Sequence, residues 1–435
     1  MADATAWTGV NEPNTNGVGR LGRALLLWYM FVIFSVFSLR VSGLTVTCFF
    51  AAPAAAVMMF RNLQQVSARE LLPLFILWIV AVVSVFLGYD TNFFSERTSS
   101  LLLFTYSLVM VYGLRLEIGR ATRADIAWLS GWLMWGILAA ATLEVLGPLR
   151  TISDAFRAWN SNIVYASDSR DLVLTGFLRP KVFTQEPSYV AIGQAVFSYT
   201  WYLTTRSRDR IGLFILVTLA TFYLERSPIS AISMIPIATS AFTDLAAKRR
   251  GLRQVIAMYL AGLLVLVALL VGGFALQAIL EARNQSSGSF GDQSLMVRIQ
   301  APPMTAFLVF QKAPLFGAGI GGRDAIASEV QYVFDRLGII PTFLNSAVAD
   351  AIPNAFWEHW IYFGVLGGLT AGFAIVSYFR MLCGRRCGIA WIFLLLLSNS
   401  FGAYTTPRFW SYATLVLIAT SASRQATSTR FSDRS

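Results

Sequence analysis

Residues 254–280, QVIAMYLAGLLVLVALLVGGFALQAIL, contain no charged side chain. About 20 apolar residues in a helix cross the hydrocarbon core of a bilayer. Every backbone N–H and C=O in that core needs a partner from the chain itself, so only helices and closed barrels span it. The run lacks the period-two alternation of a barrel strand and reads as a helix. Comparable stretches recur at 22–39, 43–60, 71–88, 98–114, 126–146, 188–205, 211–224, 227–245, 356–379, 388–402 and 406–423. The sequence therefore predicts an all-α polytopic integral membrane protein with about 12 transmembrane helices. Composition agrees: charged residues make up 13% of the chain and apolar residues 56%, against about 25% charged in a soluble domain. The polar, Gly- and Asn-containing start has no basic stretch leading into an apolar core, so no cleavable signal peptide is expected and the first span acts as its own insertion signal.

The net charge of +11 is not read as a nucleic-acid footprint, because the basic residues sit in short connections between spans. Arg120 and Arg123, then Arg206, Arg208 and Arg210, then Lys248, Arg249, Arg250 and Arg253, then Arg380, Arg385 and Arg386 occupy alternate loops. The positive-inside bias puts these loops, and with them both termini, in the cytoplasm. Residues 1–21 and 424–435 are then cytoplasmic tails, and 22–423 form one transmembrane domain. The Glu225-Arg226 pair marks a turn between two spans, since two charges near mid-membrane would be costly. Cys48, Cys383 and Cys387 have no spacing that implies a metal site, and the single histidine, His359, falls on the other side of the membrane from the Cys383–Cys387 loop. No metal is expected.

Two outer loops, about 147–187 and 281–355, hold most of the polar chemistry. In the second, Ile326, Val330, Val333, Phe334 and Leu337 recur at helical spacing and predict an amphipathic helix, read as packing on the bundle rather than floating on lipid. Gly317, Gly319, Gly321 and Gly322 mark turns around it. No internal repeat is present.

The span interiors are nearly free of ionisable residues, which disfavours an ion-coupled transporter. Near the outer surface the picture differs. GFLRPKVFTQEPSYVAIG at 176–193 brings Arg179, Lys181 and Glu186 together ahead of a span; Arg226 sits in an outer turn; Arg298 opens a segment that reaches KAPLFGAGIGGR at 312–323, ending in Arg323. Arginine forks grip phosphate oxygens two at a time, so cations at headgroup depth suit a lipid-linked phosphate or pyrophosphate. The same residues can also serve as ordinary headgroup anchors. Glu186 precedes Pro187 at a helix start, where it either complements the helix dipole or acts as a general base. His359, in NAFWEHWIYFG, is either a structural hydrogen-bonding group or a titrating one. The nearby Phe356, Trp357, Trp360 and Tyr362 read as an interfacial aromatic belt. The chain contains no Walker A loop, dinucleotide fingerprint or Ser-His-Asp spacing.

RPKVFTQEPSYVA resembles a segment of Wzy-type O-antigen and exopolysaccharide polymerases. So do the stretch from Arg298 through FLVFQKAPLFGAGIGG, the ERSPISAI turn, and PNAFWEHWIYFGVLGG with Asn354, Gly364 and Gly367. These segments cover residues from about 170 to 370. Pro353 stands where the ligase-like members of this superfamily have His before Asn, which favours polymerase over ligase. The resemblance implies a membrane-embedded, GT-C-like glycosyltransferase acting at the periplasmic face on undecaprenyl-pyrophosphate-linked oligosaccharide, with no cofactor. Its catalytic residues would be Glu186, activating or orienting the acceptor hydroxyl, and Arg298. Arg179, Lys181, Arg226, Arg323, Asn354 and His359 would bind pyrophosphate or glycan. The implied partners are the lipid-linked glycan, membrane lipid and an accessory chain-length regulator. The competing expectations are an O-antigen ligase using lipid A core as acceptor, a polysaccharide or lipid transporter, and a scaffold of an export complex.

Overall fold

The computed structural model describes residues 17–41, 44–160, 172, 178–205, 207, 209–227, 229, 296–339, 354–384, 387–400, 402 and 404–432. Nearly all of the expected spans at 227–245 and 254–280, and parts of both long loops, lie outside the described residues. Among those described the architecture is all-helical, with one small hairpin and no barrel. The helices are α1 (Arg20–Ser35), α2 (Ala52–Arg61), α3 (Ala68–Leu87), α4 (Phe94–Ile118), α5 (Arg123–Val145), α6 (Arg150–Asn160) and α7 (Pro187–Thr204), followed by α8 (Arg210–Glu225), α9 (Ala301–Lys312), α10 (Ala327–Leu337), α11 (Ala355–Cys383), α12 (Gly388–Ser400) and α13 (Pro407–Ser432).

By length and composition, α3, α4 with its leading turn, α5 and α11 can cross a membrane. Their outer flanks expose Phe75, Phe86, Trp132, Trp135, Leu369 and Phe373. Such a concentration of large apolar side chains on a water-facing surface would be unfavourable, which marks the bundle as membrane-inserting. The last helix is central: α13 packs against α4, α7 and α11, and residues 407–420 are all buried.

The first two expected spans need correction. α1 ends at Ser35, and β1 (Leu39–Val41) then pairs antiparallel with β2 (Leu44–Val46), Leu39 opposite Val46. Only Phe49–Arg61 is helical beyond it, which at 1.5 Å per residue reaches roughly 20 Å of the approximately 30 Å core. The residues that misled are Leu44-Thr-Val-Thr: apolar enough for a span, but β-branched and therefore suited to a strand. Pro53 in the first turn of α2 fixes where the helix starts, because its missing N–H costs nothing there. α10 matches the expected amphipathic helix: Val330, Val333 and Phe334 are buried against protein.

Side-chain networks tie the helices at both ends of the bundle. At one end Asp125 closes a capping box with Thr122, accepts from the Val18 N–H and pairs with Arg23 at 2.6 Å. Glu117 accepts from Asn62 at 2.6 Å and from Arg61, Arg120 donates to the Asn62 amide oxygen, and Arg115 pairs with Glu70. Arg123 donates to the carbonyls of Leu203, Thr204 and Thr205, which ends α7. The turn joining α11 to α12 is closed by a Cys383–Cys387 disulfide.

The other end is organised by a break in α11. Gly364 has φ 64° and ψ −161° inside an otherwise continuous helix, and the segment 314–319 enters the gap. Ala318 N–H donates to Ile361 O and Gly319 N–H to Tyr362 O, while Val365 and Gly367 N–H groups donate to Pro314 and Leu315 carbonyls. The backbone groups that the break frees are thus satisfied by the inserted loop, the condition under which irregular backbone is tolerated at membrane depth. The fit leaves no room for side chains: a Cβ on Gly317 would stand 2.3 Å from Ile361 O, and one on Gly364 would stand 2.6 Å from Gly317 N. Tyr89, just beyond α3, donates to Gly317 O, so α3 is stitched into the same joint.

Candidate functional site

The loop before α7 is shaped by a buried carboxylate. Glu144, in the last turn of α5, accepts from the backbone N–H groups of Lys181 (3.0 Å) and Val182 (2.7 Å). Val182 and Phe183 both have positive φ, a costly conformation for non-glycine residues. They are held there by Glu144, by Ser153 accepting from Phe183 N–H, and by Thr184 donating to the carbonyls of Lys181 and Glu186. This turn delivers Glu186 to the N-cap position of α7, where it makes no side-chain cap bond. Ser188 donates to its carboxylate at 2.9 Å.

Opposite stands Arg298, on a π-helical turn (Met296–Gln300) that leads into α9. Its guanidinium lies 3.5 Å from the Glu186 carboxylate, and the two side chains keep 27% and 36% of their surface exposed. The two residues assigned catalytic roles from sequence, 112 positions apart, therefore meet. Asn354 secures the arrangement. Its amide donates to the Arg298 and Asn399 carbonyls and its oxygen caps α11 by accepting from Trp357 N–H. Asn354 is buried, so it works here as a positioning residue.

Arg323 is held differently. It donates to Glu358 at 2.6 Å and to the Tyr362 hydroxyl at 2.9 Å, and Glu358 in turn accepts from Tyr404 N–H. Arg408 donates to the carbonyls of Ile33 and Phe34, where α1 ends, and its guanidinium stands 4.2 Å from the ring centroid of Tyr189. Tyr189, in the first turn of α7, lies within electrostatic reach of Glu186, Arg298, Arg323 and Arg408. Tyr189 thus stands among three guanidiniums, of which Arg298 faces Glu186, Arg408 covers the Tyr189 ring and Arg323 is paired with Glu358. The field there favours a further anion.

The remaining expected residues sit in the following places. Lys181 is buried in the Glu144-bound turn, Arg179 is half-buried two residues before it, and Arg226 is exposed in a left-handed cap at the end of α8. His359 is buried, with Nε2 at 2.9 Å from Gly368 O and Nδ1 at 3.2 Å from the Tyr404 hydroxyl. A carbonyl only accepts, so Nε2 carries the proton and Nδ1 accepts from tyrosine. Both ring nitrogens are committed, and the histidine bridges the two halves of α11. Sequence reasoning placed Glu144 at a span end without giving it a role, and passed over Glu358 and Arg408. The signal for the last two was present: each is a lone charge inside a segment read as a span, which is by default functional or structural rather than incidental. Among the described residues, no group of three His, Cys, Asp or Glu side chains converges as a metal site would. The sequence matches no protein-family model and no curated protein.

Proposed function

We propose that the protein is a membrane-embedded glycosyltransferase that joins lipid-pyrophosphate-linked oligosaccharide repeats, with a GT-C-like arrangement and the Glu186 end facing the periplasm. The observation that carries this reading is the partly open Glu186–Arg298 pair. In the proposed step the acceptor hydroxyl oxygen forms a bond to the anomeric carbon of the growing chain. The bond from that carbon to the pyrophosphate oxygen breaks, Glu186 takes the hydroxyl proton, and the departing lipid pyrophosphate carries away the electron pair. Arg298 stabilises the charge that develops on the leaving group. Undecaprenyl-pyrophosphate-linked glycan is the proposed substrate, and a chain-length regulator the proposed partner in an inner membrane.

The test is reconstitution in liposomes with a lipid-pyrophosphate-linked repeat unit and no nucleotide. A product ladder spaced by one repeat is expected, and Arg298→Ala should reduce it roughly 100- to 1,000-fold while the protein stays in the membrane. A full ladder from Arg298→Ala would sink the assignment. Transfer only after addition of lipid A core would replace polymerase by ligase.

A further inference from the structure

The short helix α6 does not fit the role of a span. Its 11 residues extend roughly 16 Å, about half the hydrocarbon thickness. It follows α5 through a tight turn in which Leu149 N–H donates to Leu143 O and Gly147 takes φ +103°.

Two faces of α6 have distinct tasks. The first docks on the site. Ser153 accepts from Phe183 N–H, Phe156 meets Phe183 edge-on at 5.2 Å and stacks on Phe37 at 5.0 Å, and the Asn160 oxygen accepts from Ser38 N–H. The second face is apolar and largely exposed: Ile152 is 60% exposed and Trp159, seven residues on, 74% exposed even though one side of its ring meets Phe37 at 5.0 Å, with Ala155 between them also exposed. This face continues from the flank of α5, where Trp132, Trp135, Leu143 and Leu146 are exposed on a helix long and apolar enough to span. Arg150, Asp154 and Arg157 pair with one another along the helix.

We propose that α6 lies in the interfacial plane of the leaflet at the Glu186 end, with Ile152, Ala155 and Trp159 immersed in lipid. A short amphipathic helix with a tryptophan at the acyl–headgroup boundary has the composition for this, and the lipid-facing flank of α5 brings the bilayer to its first turn. By its docked face, α6 then sets the depth of the turn at 181–184, and through it that of Glu186. The inference rests on membrane insertion, not on the glycosyltransferase reading.

The test reads depth rather than activity. Ala155→Cys, in a background with the three native cysteines replaced by serine, is labelled with an environment-sensitive fluorophore and placed in liposomes of phosphatidylethanolamine and phosphatidylglycerol. Lipids brominated near the headgroup should quench the label at least twofold more than aqueous iodide does, and Trp159→Glu should lower the lipid quenching. Equal or stronger quenching by iodide in the membrane-inserted protein would overturn the proposal. So would protection from both quenchers, which would mean that this face is covered by protein. If the serine background fails to insert, the same label is attached with Cys48, Cys383 and Cys387 intact, the unlabelled-site control being the parent chain.

Discussion

The two ends of the bundle use the same residue types to opposite effect. At the Asp125 end, arginines meet carboxylates that are sealed from solvent: the Asp125 and Glu117 side chains retain 2% and 1% exposure, and each carboxylate also accepts hydrogen bonds from amide groups. At the Glu186 end the Arg298–Glu186 contact is as long as Arg61–Glu117, 3.5 against 3.4 Å, but here the carboxylate keeps 36% exposure. A sealed carboxylate saturated by amide and guanidinium donors locks helices together and has no capacity left for a ligand. An open carboxylate in a surface pair contributes little to stability and can exchange its partner for a substrate group. Charge alone therefore does not mark the site, whereas incomplete satisfaction does.

That contrast can be broken by experiment. The largest effect is expected at the open pair. Glu186→Gln should slow polymer formation roughly 100- to 10,000-fold without moving the unfolding temperature in detergent. The double exchange Glu186→Arg with Arg298→Glu restores the attraction but not the chemistry, so it should stay inactive; recovered activity would make the pair structural. At the sealed end Glu117→Ala removes the acceptor shared by Arg61 and the Asn62 amide and should cost about 1–3 kcal/mol, read by denaturant titration, while the surviving folded protein keeps its specific activity. A loss of the same order, about 1–3 kcal/mol, is expected for His359→Phe, which leaves the Gly368 carbonyl without its donor. If that variant instead lost polymer while remaining fully stable, the histidine would belong to the chemistry.

The smallest effect concerns Lys312 and Glu329, an ion pair joining α9 to α10. Burial pushes the Glu329 carboxyl up, but hydrogen bonds from Lys312, its own backbone N–H and Ser328 outweigh this and hold it below its ordinary value. The hydrogen bond to Glu329 holds the Lys312 ammonium above its ordinary value despite some desolvation. A depressed carboxyl contributes stability above its unfolded pKa and loses it as pH falls through the folded one. A raised ammonium contributes below its unfolded pKa and loses it as pH rises through the folded one. Hydrogen-exchange protection of α9 and α10 should therefore be flat between these limits and fall off at both extremes, and Glu329→Gln should flatten the acid limb.

The helices were legible because apolar runs of that length permit little else. The convergence of Glu186 and Arg298 was foreseeable only as two motifs, since nothing local to either one states that a π-helical turn and a helix N-cap will face each other. The second span misread because hydropathy does not separate a β-branched hairpin from a helix when both are apolar. The break in α11 escaped because Gly364 sits near other glycines, and what distinguishes it is the loop from residues 314–319 that fills the gap. Glu358 and Arg408 were passed over because the span boundaries were drawn by average hydropathy, which submerges a single charge.

The joint in α11 also constrains how the molecule is assembled. Its donors and acceptors come from α3, the 314–319 loop and both halves of α11, and its histidine is held by Tyr404, which precedes α13. A chain made from the N-terminus onward inserts α3 and α4 long before the segment that completes their outer ends exists. Until α11 arrives, the Pro314 and Leu315 carbonyls and the Ala318 and Gly319 N–H groups lack the partners they have in the joint. Maturation of the Glu186 end is therefore a late event, dependent on nearly the whole chain. A nascent protein interrupted before Ala355 would carry Glu186, Arg298 and Arg323 without the helix whose break holds the 314–319 loop.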